Sequence, residues 1–432
     1  MTALAEVRLW GTRIGAVHLP PGSQTAIFEY DPAFAGSGIE VSPLVMPLAR
    51  RAYTFPGLPR AAFHGLPGLL ADSLPDRFGN ALIDAWLASQ GRAPESFSAV
   101  ERLCYTGSRG TGALEFVPAA GPEPGRSEVI EVAELVRLAS SILGARQDLK
   151  VTFSGDGQEQ ALRHLLAVGT SAGGARAKAV IAWNPSTGEV RSGQVAADGF
   201  EYWLLKFDGV AANRDRELAD PAGYGAVEYA YHLMARAAGI EMEDCRLLEE
   251  NGRRHFMTRR FDRLAGGDKL HMQSLAALAH LDFNAAGAHS YEQAFLAMRR
   301  LGLPMAQLEE QFRRMVFNVS ARNQDDHVKN IAFLMDRRGR WRLSPAFDVT
   351  YAFNPRGDWT FRHQMSLHGK REAFVRDDLL AAAETASLAR SRAVHIIGQV
   401  TGAVAAWPDF ARSAGVAEAW IADIAGNLIT EL

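Results

Sequence analysis

Ala321-Arg322-Asn323-Gln324-Asp325-Asp326-His327-Val328-Lys329-Asn330 is the stretch on which the reading of this 432-residue chain turns. Two carboxylates, an imidazole, an ammonium and two carboxamides within ten residues would be costly to bury unless a ligand or a metal satisfied them. The stretch follows an amphipathic helix with Leu308, Phe312, Met315 and Val319 on one face. It runs into a predicted strand pair, Ile331 to Met335 and Arg340 to Leu343, turned at Asp336-Arg337-Arg338-Gly339. That hairpin emerges at Ser344-Pro345-Ala346-Phe347-Asp348-Val349, which returns a second acid to the first loop.

Such an arrangement has a specific use. Phosphoryl transfer needs one carboxylate to take the attacking hydroxyl's proton and hard oxygens to hold Mg²⁺ against nucleotide phosphates. Asp325 and Asn330 stand five apart, the offset of the protein-kinase catalytic loop, and an acid closes the following hairpin as in the kinase metal-binding segment. On this spacing Asp325 is the expected base and Asn330 and Asp348 the expected metal ligands, with His327 and Lys329 placed to contact phosphate oxygens. Alone, an Asp-x4-Asn loop is more often a helix cap or turn; what raises the functional reading is the second acid and the order of the pieces upstream.

Those pieces begin with Gly169 to Lys178, a loop of small residues leading into a strand. Its glycines would let backbone N–H groups approach phosphates, but it fits no Walker pattern and an ordinary tight turn stays open. Lys206 ends the apolar strand Tyr202-Trp203-Leu204-Leu205-Lys206-Phe207, where it either snorkels to water or meets an anion such as a nucleotide phosphate. Ala179 to Trp183 and Glu201 to Phe207 read as an antiparallel pair. A helix marked by Asp220-Pro221 then carries Val227, Tyr231, Met234 and Ala238; its Glu228 could orient Lys206, although a solvated helix face is the expected setting. Phe256 to Arg263 is an apolar strand running into charge, where a connector could offer backbone to adenine and Phe261 its ring, or Phe261 could simply be core.

Toward the N-terminus, Val7 to Gly11 and Ala26 to Tyr30 read as strands with Pro20-Pro21-Gly22 between them, and Ala81 to Gln90 as a helix stopped by Gly91. Pro118 to Arg126 is the clearest linker. The expected division is therefore 1–120, a β-rich N-terminal subdomain; 121–262, a lobe with the phosphate loop and lysine; and 263–432, a mainly helical lobe with the catalytic loop. The fold class expected is α+β, two-lobed and protein-kinase-like.

With 47% hydrophobic and 22% charged residues the chain has the balance of a globular protein. A net charge of −3 gives no overall attraction to nucleic acid or anionic membrane, although Arg299-Arg300 and Arg313-Arg314 could form a basic patch. Two cysteines, Cys104 and Cys245, make no disulfide framework and fit a reducing cytosol. Met1 to Trp10 carries Glu6 and Arg8 and has no leader-like apolar region, and no run of eighteen apolar residues occurs. A cytoplasmic location without membrane contact is expected.

Taken together, Ser171 to Lys178, Trp203 to Lys206, Arg260 to Arg263, Asn323 to Asn330 and Leu343 to Asp348 resemble the HipA family, the kinase toxins of bacterial toxin–antitoxin modules. Leu69 to Gly79 and Gly107 to Phe116 resemble the N-terminal subdomain of that family, so the likeness covers nearly the whole chain. It implies an ATP- and Mg²⁺-dependent serine/threonine kinase with Asp325 as base, Asn330 and Asp348 as Mg²⁺ ligands and Lys206 on the ATP phosphates. It further implies a phosphate loop comprising Gly173, Gly174, Ala175, Arg176, Ala177 and Lys178, adenine contact by Arg259, Arg260 and Phe261, and autophosphorylation at Ser171. A phosphate there would repel the nucleotide and disfavour the closed loop. The implied partners are a translation-related protein substrate, notably an aminoacyl-tRNA synthetase, and a small HipB-like helix-turn-helix antitoxin through which alone DNA is reached. Two departures stand out: Asp326 replaces the glycine of many relatives and adds charge next to the base, and Arg259 replaces an acidic connector residue, which leaves the backbone as the expected adenine contact. Two rivals remain on the residues alone: a Mg²⁺-dependent phosphohydrolase or nuclease using the same cluster on water, and a non-catalytic corepressor scaffold.

Overall fold

A computed structural model describes residues 4–121, 129–145, 165–166, 168–169, 176–192, 198–210 and 222–432. The chain opens with strands β1 (Leu4–Leu9), β2 (Thr12–His18), β3 (Ile27–Tyr30) and β4 (Ala52–Tyr53), followed by helices α1 (Arg60–Phe63), α2 (Gly68–Ala71), α3 (Arg77–Ser89) and α4 (Ala99–Thr106) and strand β5 (Leu114–Val117). The five strands form an antiparallel sheet in the order β4-β3-β2-β1-β5. The second strand was not expected. Small residues at Gly15 and Ala16 dilute its β signal, and Gly15 is required because a Cβ there would lie 2.3 Å from the Glu29 carbonyl oxygen. The β1–β2 hairpin turns at Trp10 and Gly11, both at positive φ, and the expected turn at Pro20 to Gly22 is present, joining β2 to β3 with the Ser23 N–H donating to the Pro20 carbonyl at 3.0 Å. α4 starts on a capping box in which Ser98 and Glu101 satisfy each other's backbone N–H groups.

Helix α5 (Val132–Ala145) precedes a second antiparallel sheet of β6 (Lys178–Trp183), β7 (Val190–Ser192), β8 (Glu201–Lys206), β9 (Cys245–Glu250) and β10 (Arg253–Arg259), ordered β7-β6-β8-β10-β9. Helix α6 (Tyr224–Ala237) connects β8 to β9 and packs across β10. As expected, β6 and β8 pair antiparallel, with β7 inserted between them in sequence. α3 crosses from the N-terminal part to this sheet: Phe78, Leu82 and Leu87 share one core with Ile181, Trp203, Leu205 and Met257.

Beyond β10 lie β11 (His271–Ser274), α7 (Leu275–Ala279), α8 (Tyr291–Arg300), α9 (Met305–Ser320), β12 (Ala332–Met335) and β13 (Trp341–Leu343). The helices α10 (Arg376–Thr385), α11 (Arg390–Ala405), α12 (Trp407–Ser413) and α13 (Glu418–Ala425) follow. Leu308, Phe312, Met315 and Val319, the predicted stripe of α9, are all buried in a core shared with α6, α8 and α11. β11, β12 and β13 make a small antiparallel sheet between this helical lobe and the N-terminal sheet. Met335 is buried in the N-terminal core, and the Trp341 indole donates to the Glu40 carbonyl at 3.0 Å. Of the predicted basic pair Arg313-Arg314, Arg314 is buried on Glu310 and the Ser344 carbonyl, while Arg313 donates to the Ala238 carbonyl and Gln399.

Candidate active site

The loop expected to be catalytic starts where α9 ends. Arg322 takes φ +54°, a left-handed conformation that turns the chain, and is held by its Nε donating to the Asn427 carbonyl at 2.8 Å and by its guanidinium 4.8 Å from the Phe353 ring. The loop then closes on itself: Asn330 Nδ2 donates to the Asp325 carbonyl at 2.8 Å and the Asn330 N–H to the His327 carbonyl at 2.8 Å. A five-residue offset thus becomes physical adjacency. With its nitrogen committed, the amide oxygen of Asn330 is turned away from Asp325 and is available as a hard ligand.

Asp325 keeps 36% of its side chain exposed, accepts from the Trp359 indole at 2.7 Å and lies 3.8 Å from His327 Nε2. Burial pushes its carboxyl above the ordinary aspartate range, against the pull of His327 and the Trp359 hydrogen bond. Asp326 has the opposite fate. It accepts from Tyr291 at 2.7 Å, from His363 Nδ1 at 2.8 Å and from the Gln364 N–H at 2.7 Å, deep in the core. Burial would raise its pKa, but these three donors outweigh it and hold the carboxylate low. The extra carboxylate is therefore turned into the core, although its charge still contributes to raising the Asp325 pKa.

Asp348 sits at φ +53° after the hairpin. Its Oδ1 lies 2.5 Å from Lys206 Nζ, which also pairs with Glu228 on α6. Burial opposes the charge of Asp348, but Lys206 first and Lys178 second bring its pKa down to about 2. Burial likewise opposes the Lys206 ammonium, and Asp348 and Glu228 more than restore it. Glu228 is 1% exposed, so the expected solvated setting is wrong; it is the buried anchor of Lys206 and takes Arg176 at 3.3 Å on its second oxygen. Arg176 also stacks 3.9 Å over Tyr224.

Lys178 occupies a place the sequence reading did not foresee. It faces Lys206 directly across the β6–β8 pair. Like charges so opposed are destabilising. Each has its own acid: Lys206 has Glu228 and Asp348, while Lys178 Nζ lies 3.2 Å from Asp76 Oδ2, both buried. Asp76 caps α3 by accepting from the Gly79 N–H at 2.6 Å, so the N-terminal part supplies the counter-charge. No spacing could have indicated a partner about a hundred residues away, although Pro75-Asp76 before a helix does mark a cap.

His327 lies beside Phe283, and Lys329 is 4.8 Å from the same ring. At the connector, Arg259 is held by a double hydrogen bond to Glu243 and Arg260 by one to Asp262. Their N–H groups donate to the Asp244 and Tyr202 carbonyls at 2.9 Å. The side chains and amide hydrogens of Arg259 and Arg260 are therefore committed, which leaves their carbonyls and the ring of Phe261 for the backbone contact expected of this connector. That ring packs 5.7 Å from Phe347, the residue before Asp348, which lines a small recess with Asn330, His327 and Arg314. Ala177 is buried. Ser171, Gly173, Gly174 and Ala175 lie outside the described residues, as do Asp220 and Pro221.

The donor set suits a hard cation. One carboxylate oxygen and one carboxamide oxygen are too few for a cage made of protein alone, and no cluster of three or more His, Cys, Asp or Glu forms among the described residues. Mg²⁺ usually keeps waters and takes one or two protein ligands plus phosphate oxygens. Asn330 and Asp348 fit that role.

The HipA-like C-terminal domain family model matches residues 170–407 and the HipA N-terminal domain model residues 5–117. Among solved structures, Shewanella oneidensis MR-1 HipA, in a complex of a toxin–antitoxin system with HipB and operator DNA, is similar over 98% of this chain and 96% of that one. The TM-score is 0.68 at 15% identity, a likeness of fold that fits a two-lobed kinase-like architecture. The Helicobacter pylori proinflammatory kinase CtkA covers 60% of this chain and 90% of its own, with TM-score 0.38 and 12% identity. No curated protein matches the sequence.

Proposed function

The chain belongs to the HipA family, and from that premise we propose that it is an ATP- and Mg²⁺-dependent serine/threonine protein kinase, the toxin of a toxin–antitoxin module. One observation carries the reading: Lys206, anchored by buried Glu228, meets Asp348 across the cleft from Asp325 and Asn330. A lysine–glutamate pair on strand and helix, a base, a carboxamide and an acid after a hairpin are the working parts of phosphoryl transfer. Asn330 and Asp348 would hold Mg²⁺, which when bound neutralises charge on the phosphates. Lys206 orients toward the phosphates, Lys178 adds positive charge beside it, and His327 and Lys329 flank the base. Asp325 accepts the proton of the acceptor hydroxyl.

The remaining parts of the proposal follow the family. Residues 1–120, 121–262 and 263–432 act as N-terminal subdomain, nucleotide lobe and catalytic lobe. Gly173 to Lys178 is the phosphate loop, Phe261 packs on adenine, and Ser171 is the autophosphorylated residue. The substrate is a translation-related protein such as an aminoacyl-tRNA synthetase, in the cytoplasm. The partner is a HipB-like antitoxin, the arrangement of the Shewanella complex, with DNA reached through it.

Phosphoproteomics of cells expressing the wild type and Asp325→Ala tests this. Sites present with the first and absent with the second support it, and phosphotransfer is expected to fall roughly 10²–10⁴-fold. Release of free phosphate from ATP without any phosphoprotein would establish a hydrolase instead, and cellular effects unchanged by Asp325→Ala a scaffold.

A further inference from the structure

We infer that Trp359 is a positioning residue for the base: its indole N–H holds Asp325 Oδ1 and leaves Oδ2 to take the substrate proton. The inference rests on the kinase reading. Trp359 Nε1 donates to Asp325 Oδ1 at 2.7 Å although 34 residues separate them. The contact is the last link of a closed ring. The Trp359 carbonyl accepts from the side-chain amide of Gln364, the Gln364 N–H donates to Asp326 Oδ1 at 2.7 Å, and Asp326 is bonded to Asp325. Asp326 is itself fixed by Tyr291 and His363, and Tyr291 accepts from Asn318 Nδ2 at 3.0 Å. The residue next to the base therefore anchors the segment that carries the tryptophan, and the tryptophan returns to the base.

The consequence for the reaction is directional. A carboxylate free to rotate presents its two oxygens indifferently; one with Oδ1 engaged presents Oδ2 in a fixed direction, which lowers the cost of reaching a reactive geometry. In the transfer, the acceptor O–H bond breaks and its proton goes to Oδ2. The acceptor oxygen bonds to the γ-phosphorus as the bond to the β–γ bridging oxygen breaks, and that electron pair leaves with ADP. Trp359 touches neither nucleotide nor metal ligand in this scheme, so its contribution belongs to the rate at saturation and not to ATP binding.

The test is labelling of the full chain by ATP carrying a labelled γ-phosphate, with Mg²⁺, as a function of ATP concentration. Trp359→Phe keeps the ring and removes the N–H; its maximal rate is expected to fall about tenfold, with the ATP concentration at half-maximal rate unchanged. Trp359→His returns a ring N–H and is expected to recover part of the rate, which a packing role would not allow. An unchanged maximal rate in Trp359→Phe, a loss confined to ATP affinity, or equal loss in Phe and His variants would overturn the inference while an inactive Asp325→Asn left the kinase reading standing. Labelling absent from the wild type, or undiminished in Asp325→Asn, would remove the kinase reading and this inference with it.

Discussion

The molecule contains two buried ionic clusters of similar composition and opposite completeness. At the joint between N-terminal sheet and connector, Asp262 is enclosed by Arg260 and Arg263 at 2.6 Å and by the Gly112 N–H at 2.7 Å, while Arg263 also donates to the Gly110 and Gly112 carbonyls. Its acceptors are used by the fold. In the cleft, Asp348 keeps 28% of its side chain exposed and shares Lys206 with Glu228, while Lys178 stands opposite Lys206. Buried charge that is fully enclosed serves as a joint, whereas a carboxylate still partly open to a cleft is the setting in which functional sites tend to be found.

That contrast can be broken most severely at the joint. Asp262→Ala strands two buried guanidiniums, and chemical denaturation should show about 3–5 kcal/mol lost, with the rate per folded molecule nearly intact. Acid should reach the same place: burial raises the Asp262 carboxyl, but Arg260 and Arg263 hold it far below the usual range. With its folded pKa depressed, its stabilisation is present above the unfolded value near pH 4 and is lost as pH falls below it, so the slope of stability against pH in that acidic window should flatten in Asp262→Asn. In the cleft, Asp348→Ala should cost roughly 10²–10³-fold in phosphotransfer and abolish the Mg²⁺ dependence of ATP uptake in calorimetry, with a smaller change in melting temperature. Glu228→Gln loosens Lys206 without removing it, and ATP affinity should weaken about tenfold, equivalent to 1.4 kcal/mol. The mildest change is Trp341→Phe, which loses the indole bond to Glu40 and should cost about 1 kcal/mol in denaturation, with ATP affinity retained.

How much of this could be read beforehand depended on distance along the chain. That Asp325, Asn330 and Asp348 converge was legible because a five-residue loop and a short hairpin join them, and local geometry does the rest. The stripe of α9 was legible from its period. Lys206 was half legible: a lysine ending an apolar strand announces a missing anion, but Glu228 on the next helix looked like surface. Lys178, Asp76 and Trp359 were not legible, since each gains its meaning from a partner set by the tertiary fold. Strand β2 escaped for another reason, because the close approach that demands Gly15 also removes the side chains by which a strand is recognised. At the connector, a basic residue gave no hint that Glu243 and Asp262 would claim both arginines.

The β12–β13 hairpin extends this logic to the whole molecule. Its far end is seated in the N-terminal core through Met335, while its near end begins two residues after Asn330 and exits five residues before Asp348. One short hairpin therefore ties the N-terminal core to the spacing between Asn330 and Asp348, and the two side chains keep that spacing only while the hairpin keeps its seat.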